Sequence, residues 1–208
     1  MKISVFGATG MVGKYIVKQA LLKGYQVTAF GRSVYDYDFP EGDNLNLQKG
    51  SLFEPAQVLK ALEGSDAVLS AIGGGIDGTD KSRSLGIKNI LDQMVKANVS
   101  RIIAVGGTGI LLNENGKMLM EMDSYPDQYL PVSKEHFRAY EYLSASDREW
   151  TMVCPPLILD EDATGNYHVK AEFLPEIGET VKAGDISLFM LSEINNRDFV
   201  FKRVGITD

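Results

Sequence analysis

Lys2-Ile3-Ser4-Val5-Phe6-Gly7-Ala8-Thr9-Gly10-Met11-Val12-Gly13 opens with a short apolar strand that runs straight into three evenly spaced glycines. A helical stretch from Tyr15 to Leu22 and a second strand from Tyr25 to Phe30 follow. Strand, glycine turn, helix and strand in that order are the context a dinucleotide-binding turn requires. Gly7 allows the tight turn, Gly10 lets the backbone approach a pyrophosphate, and Gly13 lets the helix pack on the strand. The pyrophosphate would rest on free N–H groups at the positive end of the helix dipole. The spacing G-x-x-G-x-x-G is looser than G-x-G-x-x-G, so the flanking strands carry the reading as much as the glycines do. Thr9, Met11 and Val12 share this turn and join Gly7, Gly10 and Gly13 as expected cofactor contacts.

The second strand ends Phe30-Gly31-Arg32-Ser33, with no carboxylate at its tip. Sites for NAD place an acidic residue about twenty positions after the turn, where it holds the ribose 2′-hydroxyl. Arg32 is instead a fork of donors suited to a 2′-phosphate, and Ser33 adds a hydroxyl. An acid there would repel that phosphate. The expected cofactor is therefore NADP(H) rather than NAD(H). Asp36 and Asp38 follow in a polar loop.

A chain of 208 residues, 44% hydrophobic and 24% charged, is expected to form one soluble globular domain spanning 1–208. A net charge of −7 argues against nucleic acid and acidic membrane surfaces as partners. The lone cysteine, Cys154, sits in the apolar run Trp150 to Cys154 and reads as a buried thiol. No metal site is expected from two histidines and one cysteine without ligand spacing. The start does not read as a signal peptide and no apolar run is long enough to span a membrane, so a cytoplasmic protein is expected. No sequence feature sets an oligomeric state.

Strands and helices keep alternating, which predicts an α/β fold of Rossmann type: a doubly wound, mainly parallel sheet with helices on both faces. Further strands are expected at Leu45 to Lys49, Ala67 to Ile72, Arg101 to Val105, Trp150 to Cys154 and Arg197 to Val204. Helices are expected from Pro55 to about Glu63, from Ser84 to Ala97, from Val132 to Ala145, and from Asp185, as N-cap, to Ile194. The Ser84–Ala97 helix would bury Leu85, Ile87, Ile90, Leu91, Met94 and Val95. Glycines cluster just past the first, fourth and fifth strands, the edge where open α/β sheets bind ligands.

This arrangement resembles the atypical short-chain dehydrogenase/reductase superfamily. Within it, the chain is similar to the NAD(P)H-binding subfamily of biliverdin-IXβ reductase/flavin reductase and the NmrA-like proteins. The residues that carry the resemblance are Gly7 to Gly13, Gly31-Arg32-Ser33, Ala67 to Gly73, Cys154 to Asp160 with Thr164 to Tyr167, and Ile186 to Leu191 after Asp185. The resemblance implies that Arg32 contacts a 2′-phosphate and that Ala71, Ile72 and Gly73 line the cofactor. It also places Ser51, where an acid often stands, and Leu52 near adenine, and Pro155 near nicotinamide. Residues from about 155 to 208 would complete the substrate side.

The acid/base apparatus of that superfamily is not recognisable. No tyrosine is followed four positions later by lysine; Tyr129 meets Ser133 and Tyr140 meets Ser144. The expected serine after the fifth strand falls at Gly106 or Gly107, and Thr108 is the nearest hydroxyl. Leu157 stands where the biliverdin/flavin reductases carry histidine. Hydride transfer can proceed by stacking and orientation alone. The expected function is an oxidoreductase passing hydride from NADPH to a planar conjugated acceptor, such as a flavin, a quinone or a related carbonyl. The alternative is a catalytically silent, NmrA-like redox sensor. Thr108 and Tyr129 are the catalytic candidates, with Tyr125, Pro156 and Tyr167 beside them. Lys134 reads as solvated and His136 as a satisfied histidine. Met118 to Met122 fits either a flexible lid or a buried patch of loop.

Overall fold

The computed structural model describes residues 1–208. The first half alternates β1 (Lys2–Phe6), α1 (Gly13–Leu22), β2 (Gln26–Gly31), β3 (Leu45–Lys49), α2 (Pro55–Leu62), β4 (Ala67–Ser70) and α3 (Ser82–Ala97). The second half continues with β5 (Arg101–Val105), α4 (Leu130–Ala145), β6 (Glu149–Cys154), β7 (Leu157–Leu159), β8 (His168–Ala171), β9 (Thr180–Lys182), α5 (Ala183–Asn196) and β10 (Lys202–Thr207). Eight strands form one sheet in the order β3-β2-β1-β4-β5-β6-β10-β8, parallel except for β8. The order reverses between β2-β1 and β4, which opens a crevice at the carboxyl ends of β1 and β4. This is the doubly wound Rossmann fold the alternation predicts. No helix is long and apolar enough to cross a membrane.

Strand periodicity sorts the core into two layers. Ile3, Val5, Val27, Ala29, Leu69 and Val153 face α1 and α5. Phe6, Phe30, Val68, Ile102, Met152 and Cys154 face the layer of α2, α3 and α4. Cys154 is buried, and burial pushes its thiol up to about 12. That is the inert thiol the sequence implied.

Several boundaries differ from expectation. β4 ends at Ser70, so Ala71 and Ile72 already belong to the turn. The α3 residues Leu85 and Val95 face solvent rather than the core. α5 begins at Ala183, after Lys182, so Asp185 is not its N-cap. Its buried carboxylate instead accepts hydrogen bonds from the N–H groups of Thr164 and Gly165, at 2.9 and 2.7 Å, and from the Thr164 hydroxyl. The last strand begins only at Lys202; Arg197 and Phe201 adopt left-handed conformations, φ 59° and 60°, that no strand accommodates. β7 and β9 are three residues each and pair only with one another, too short to read from periodicity.

At the amino ends of β5 and β6, Arg101 is buried against Glu193 of α5 at 3.2 Å and donates to Thr151 Oγ1 at 2.8 Å. Burial lowers the guanidinium to about 10 and raises the Glu193 carboxyl. Removing one partner leaves a buried charge alone. Arg101→Met is therefore expected to cost about 3–5 kcal/mol in urea unfolding at pH 7. Adding Glu193→Leu should restore part of that loss, since the stranded charge goes with it.

Candidate functional site

A cleft of about 310 Å³ lies at the carboxyl ends of β1, β2 and β4. Its floor is backbone. Gly7 has φ +75°, and a Cβ there would lie 2.4 Å from the Ala71 carbonyl oxygen. A Cβ on Gly13 would lie 2.1 Å from the Gly7 carbonyl oxygen. These contacts pin the start of α1 against the turn and the turn against the end of β4. Gly10 N–H closes the turn on the Gly7 carbonyl at 2.9 Å. The N–H groups of Met11, Val12 and Gly13 make no intramolecular hydrogen bond. The first turn of α1 carries neither an acidic residue nor a side-chain cap. Three free donors on a helix dipole, beside glycine walls, fit a pyrophosphate.

Of the residues singled out for the cofactor, Gly7, Thr9, Gly10, Arg32, Ser33, Ser51, Leu52, Ala71, Ile72 and Gly73 line this cleft together. Met11, Val12, Gly13 and Pro155 do not line it: the Met11 side chain faces solvent, and Val12, Gly13 and Pro155 are buried. Any part for the first three would be through their free N–H groups. Arg32 is exposed at the tip of β2 and pairs with no carboxylate. Phe30, Gly31 and Gly74, which lie in the strand end and glycine cluster the sequence pointed to, also line the cleft, as do Gly50, Phe53 and Ser82, which sequence reasoning passed over. Gly50 could have been found: it follows β3 directly, and a Cβ there would sit 2.5 Å from the Phe30 ring.

The catalytic candidates stand apart from these walls. Thr108 starts a short helical turn after β5, and Tyr129 is 44% exposed just before α4; neither lines the cleft. Tyr125 and Ser133 share a hydrogen bond at 2.7 Å beside Gly109. Tyr167 packs on Phe189 of α5 instead. Met118 and Leu119 pack on the core layer of α2, α3 and α4, as the buried-patch alternative has it. Lys134 is exposed, as expected.

His136 departs from expectation. It is not a satisfied histidine: Nδ1 is buried without a partner, and Nε2 makes no hydrogen bond either. Burial and the nearby Arg83 cation lower its pKa to about 3. Arg83 itself donates to the Gly75 and Gly74 carbonyls at 2.8 and 3.0 Å, holding the loop after β4. The sequence signal for all this was slight: a histidine near a helix start, with glycines elsewhere.

Residues 7–197 match the family model described as NAD(P)H-binding. The Bacillus subtilis protein YwnB is 29% identical over 172 residues, 80% of this chain and 78% of its own. A solved structure from Burkholderia pseudomallei, designated an exported protein, is 33% identical over the whole of both chains with a TM-score of 0.85. A candidate NADH-flavin reductase from Streptococcus pneumoniae is 25% identical, covering 100% of this chain and 99% of its own, with a TM-score of 0.85.

The His136 shift ties folding to pH. An unfolded histidine takes up its proton near pH 6.5, whereas folded His136 does so only near 3. Between those values the unfolded chain binds more protons, so this stability is full above pH 6.5 and is lost as pH falls toward 3. From pH 7 to pH 5 the protein is expected to lose about 2 kcal/mol more stability than His136→Gln, measured by urea titration at each pH.

Proposed function

The chain belongs to the NAD(P)H-binding family, and we propose that it is an NADPH-dependent reductase of planar conjugated acceptors such as flavins and quinones. The observation that carries this reading is the composition of the cleft. Its cofactor half combines glycine walls, free α1 N–H groups and an unpaired Arg32, while the strand ends beyond it hold no tyrosine–lysine pair. When bound, NADPH supplies a hydride, so that with one proton from water a quinone becomes a hydroquinone and NADP+ is left.

The protein's own share follows from its residues. The N–H groups of Met11, Val12 and Gly13 hold the pyrophosphate. Arg32 and Ser33 hold the 2′-phosphate. Leu52 and Phe53 flank the adenine, with the Leu52 carbonyl fixed by the Asn89 side chain at 2.7 Å. Ala71, Ile72 and Gly73 would line the cofactor beyond the pyrophosphate. Rate comes from proximity and orientation rather than from a tuned acid. The Streptococcus pneumoniae relative's designation as a flavin reductase supports this choice of acceptor.

A silent dinucleotide sensor is the second reading. It is favoured by Tyr129, whose fourth following residue is Ser133, already bonded to Tyr125. The two readings part in one assay. NADPH oxidation against a panel of flavins, quinones, ketones and aldehydes is expected to show turnover fastest with flavins and quinones. Tight NADPH binding with no turnover by any acceptor would leave the sensor.

Cofactor choice is tested separately. A charge-assisted bond to phosphate contributes about 1.5–3 kcal/mol. Arg32→Ala should therefore weaken NADPH binding by at least about tenfold and leave NADH binding almost unchanged in fluorescence titration. Equal affinities of the unaltered protein for the two cofactors would refute the assignment of Arg32.

A further inference from the structure

We propose that His136 presents an Nε2–H donor to the carbonyl oxygen of the acceptor at Gly107, two residues past the end of β5. This rests on the reductase reading and names a contact the acceptor makes.

The ring lies at the carboxyl edge of the sheet, against the segment that follows β5. Gly107 follows β5 by two residues, between the strand ends of β4 and β6. A Cβ at Gly107 would meet His136 Cδ2 at 2.9 Å and Nε2 at 3.2 Å. The backbone there is extended, φ −150°, so no turn demands glycine. The missing side chain leaves space for the Cδ2–Nε2 edge of the imidazole. His136 is half-buried, and its Nε2 has no hydrogen-bond partner and is not fully sealed. Nδ1 is sealed.

Charge then selects the tautomer. The ring is neutral at pH 7, held so by burial and by the Arg83 cation. Glu135, the neighbouring carboxylate on α4, is committed to Lys81 at 2.9 Å and to the Ser84 hydroxyl at 2.6 Å. Asp80 accepts from the N–H groups of Gly75 and Ser82. Neither carboxylate bonds to the imidazole. A proton on Nδ1 would be a buried donor without an acceptor in the field of a cation. An unbonded lone pair on Nδ1 costs less than an unbonded N–H, and the proton belongs on Nε2, where water or ligand can accept it. A neutral imidazole of this kind polarises a carbonyl that gains negative charge as hydride arrives. It donates a hydrogen bond without giving up its proton, so the proton of reduction still comes from water.

The test reads the ring directly. The chain has two histidines, His136 and His168, so a His168→Gln protein labelled with 15N-histidine reports His136 alone. In the presence of NADP+ the spectrum should show a neutral ring protonated at Nε2. Adding 1,4-naphthoquinone, with no reduced cofactor present, should shift the Nε2 resonance. A proton on Nδ1, or an Nε2 signal unmoved by saturating quinone, overturns the inference. Kinetics give an independent arm. His136→Leu should lower kcat/KM for the quinone by about 10²-fold with NADPH affinity unchanged. His136→Gln, whose amide N–H reaches nearly as far as Nε2–H, should recover most of the loss. Equal losses in the two variants also overturn it. If the unaltered protein oxidises no NADPH with any acceptor while the NMR shifts appear as expected, the reductase reading alone falls.

Discussion

Backbone packed on backbone at the end of β1 is the constraint on which the rest depends. Gly13 lies on the carbonyl of Gly7, and Gly7 lies on the carbonyl of Ala71; a side chain at either place would sit within 2.4 Å of those oxygens. That stack fixes how α1 leaves the sheet and therefore where its free N–H groups point. It also fixes the turn after β4, which lies across the topological switch. Cleft, anion site and strand ends are thus one arrangement, and α5 packs on α1 from the same face of the sheet.

The far side of the site is held differently. Arg203 of β10 donates to Glu172 through Nε at 2.8 Å and through Nη2 at 2.6 Å, and to the Ile110 carbonyl through Nη1 at 2.6 Å. Its guanidinium also lies 4.6 Å from the Tyr140 ring centroid. One residue near the end of the chain thereby ties the loop after β5 to α4 and to β8. The strained Glu172, φ +65°, is kept in place by the two-pronged bond its carboxylate makes. These contacts join the short turn from Thr108 to Ile110 in holding the segment that carries Gly107 and Thr108.

The legible part of the chain was the part governed by local rules. Alternation and glycine spacing give β1 through β6 and α1 through α4 to within a few residues, because each buries a periodic face against a sheet. They also bring Gly7, Arg32 and Ala71 to one edge. What stayed hidden depended on partners distant in sequence. Asp185 looked like a helix cap, yet its carboxylate reaches back to the Thr164–Gly165 loop. β8 exists because β10 offers it an edge. His136 could not be read from its neighbours, since its state is set first by burial and then by Arg83 on another helix, and its place by an absent side chain at Gly107.

A chain with a net charge of −7 must still hold a polyanionic cofactor. The resolution lies in distance. Exposed charges farther apart than about 8–10 Å are largely screened at physiological salt, so the global charge acts weakly inside a cleft. What a phosphate meets there is local: α1 N–H groups with no acid in the first turn, and Arg32 with no carboxylate beside it. Nearby carboxylates are occupied, Asp77 by the Thr79 N–H and hydroxyl and Asp80 by the N–H groups of Gly75 and Ser82. Those bonds hold both acids in their charged form below the usual range, and direct that charge at backbone donors rather than at the cleft. Net charge therefore argues against extended polyanions, whose many phosphates would reach past the cleft, while leaving a single dinucleotide with a field of the right sign.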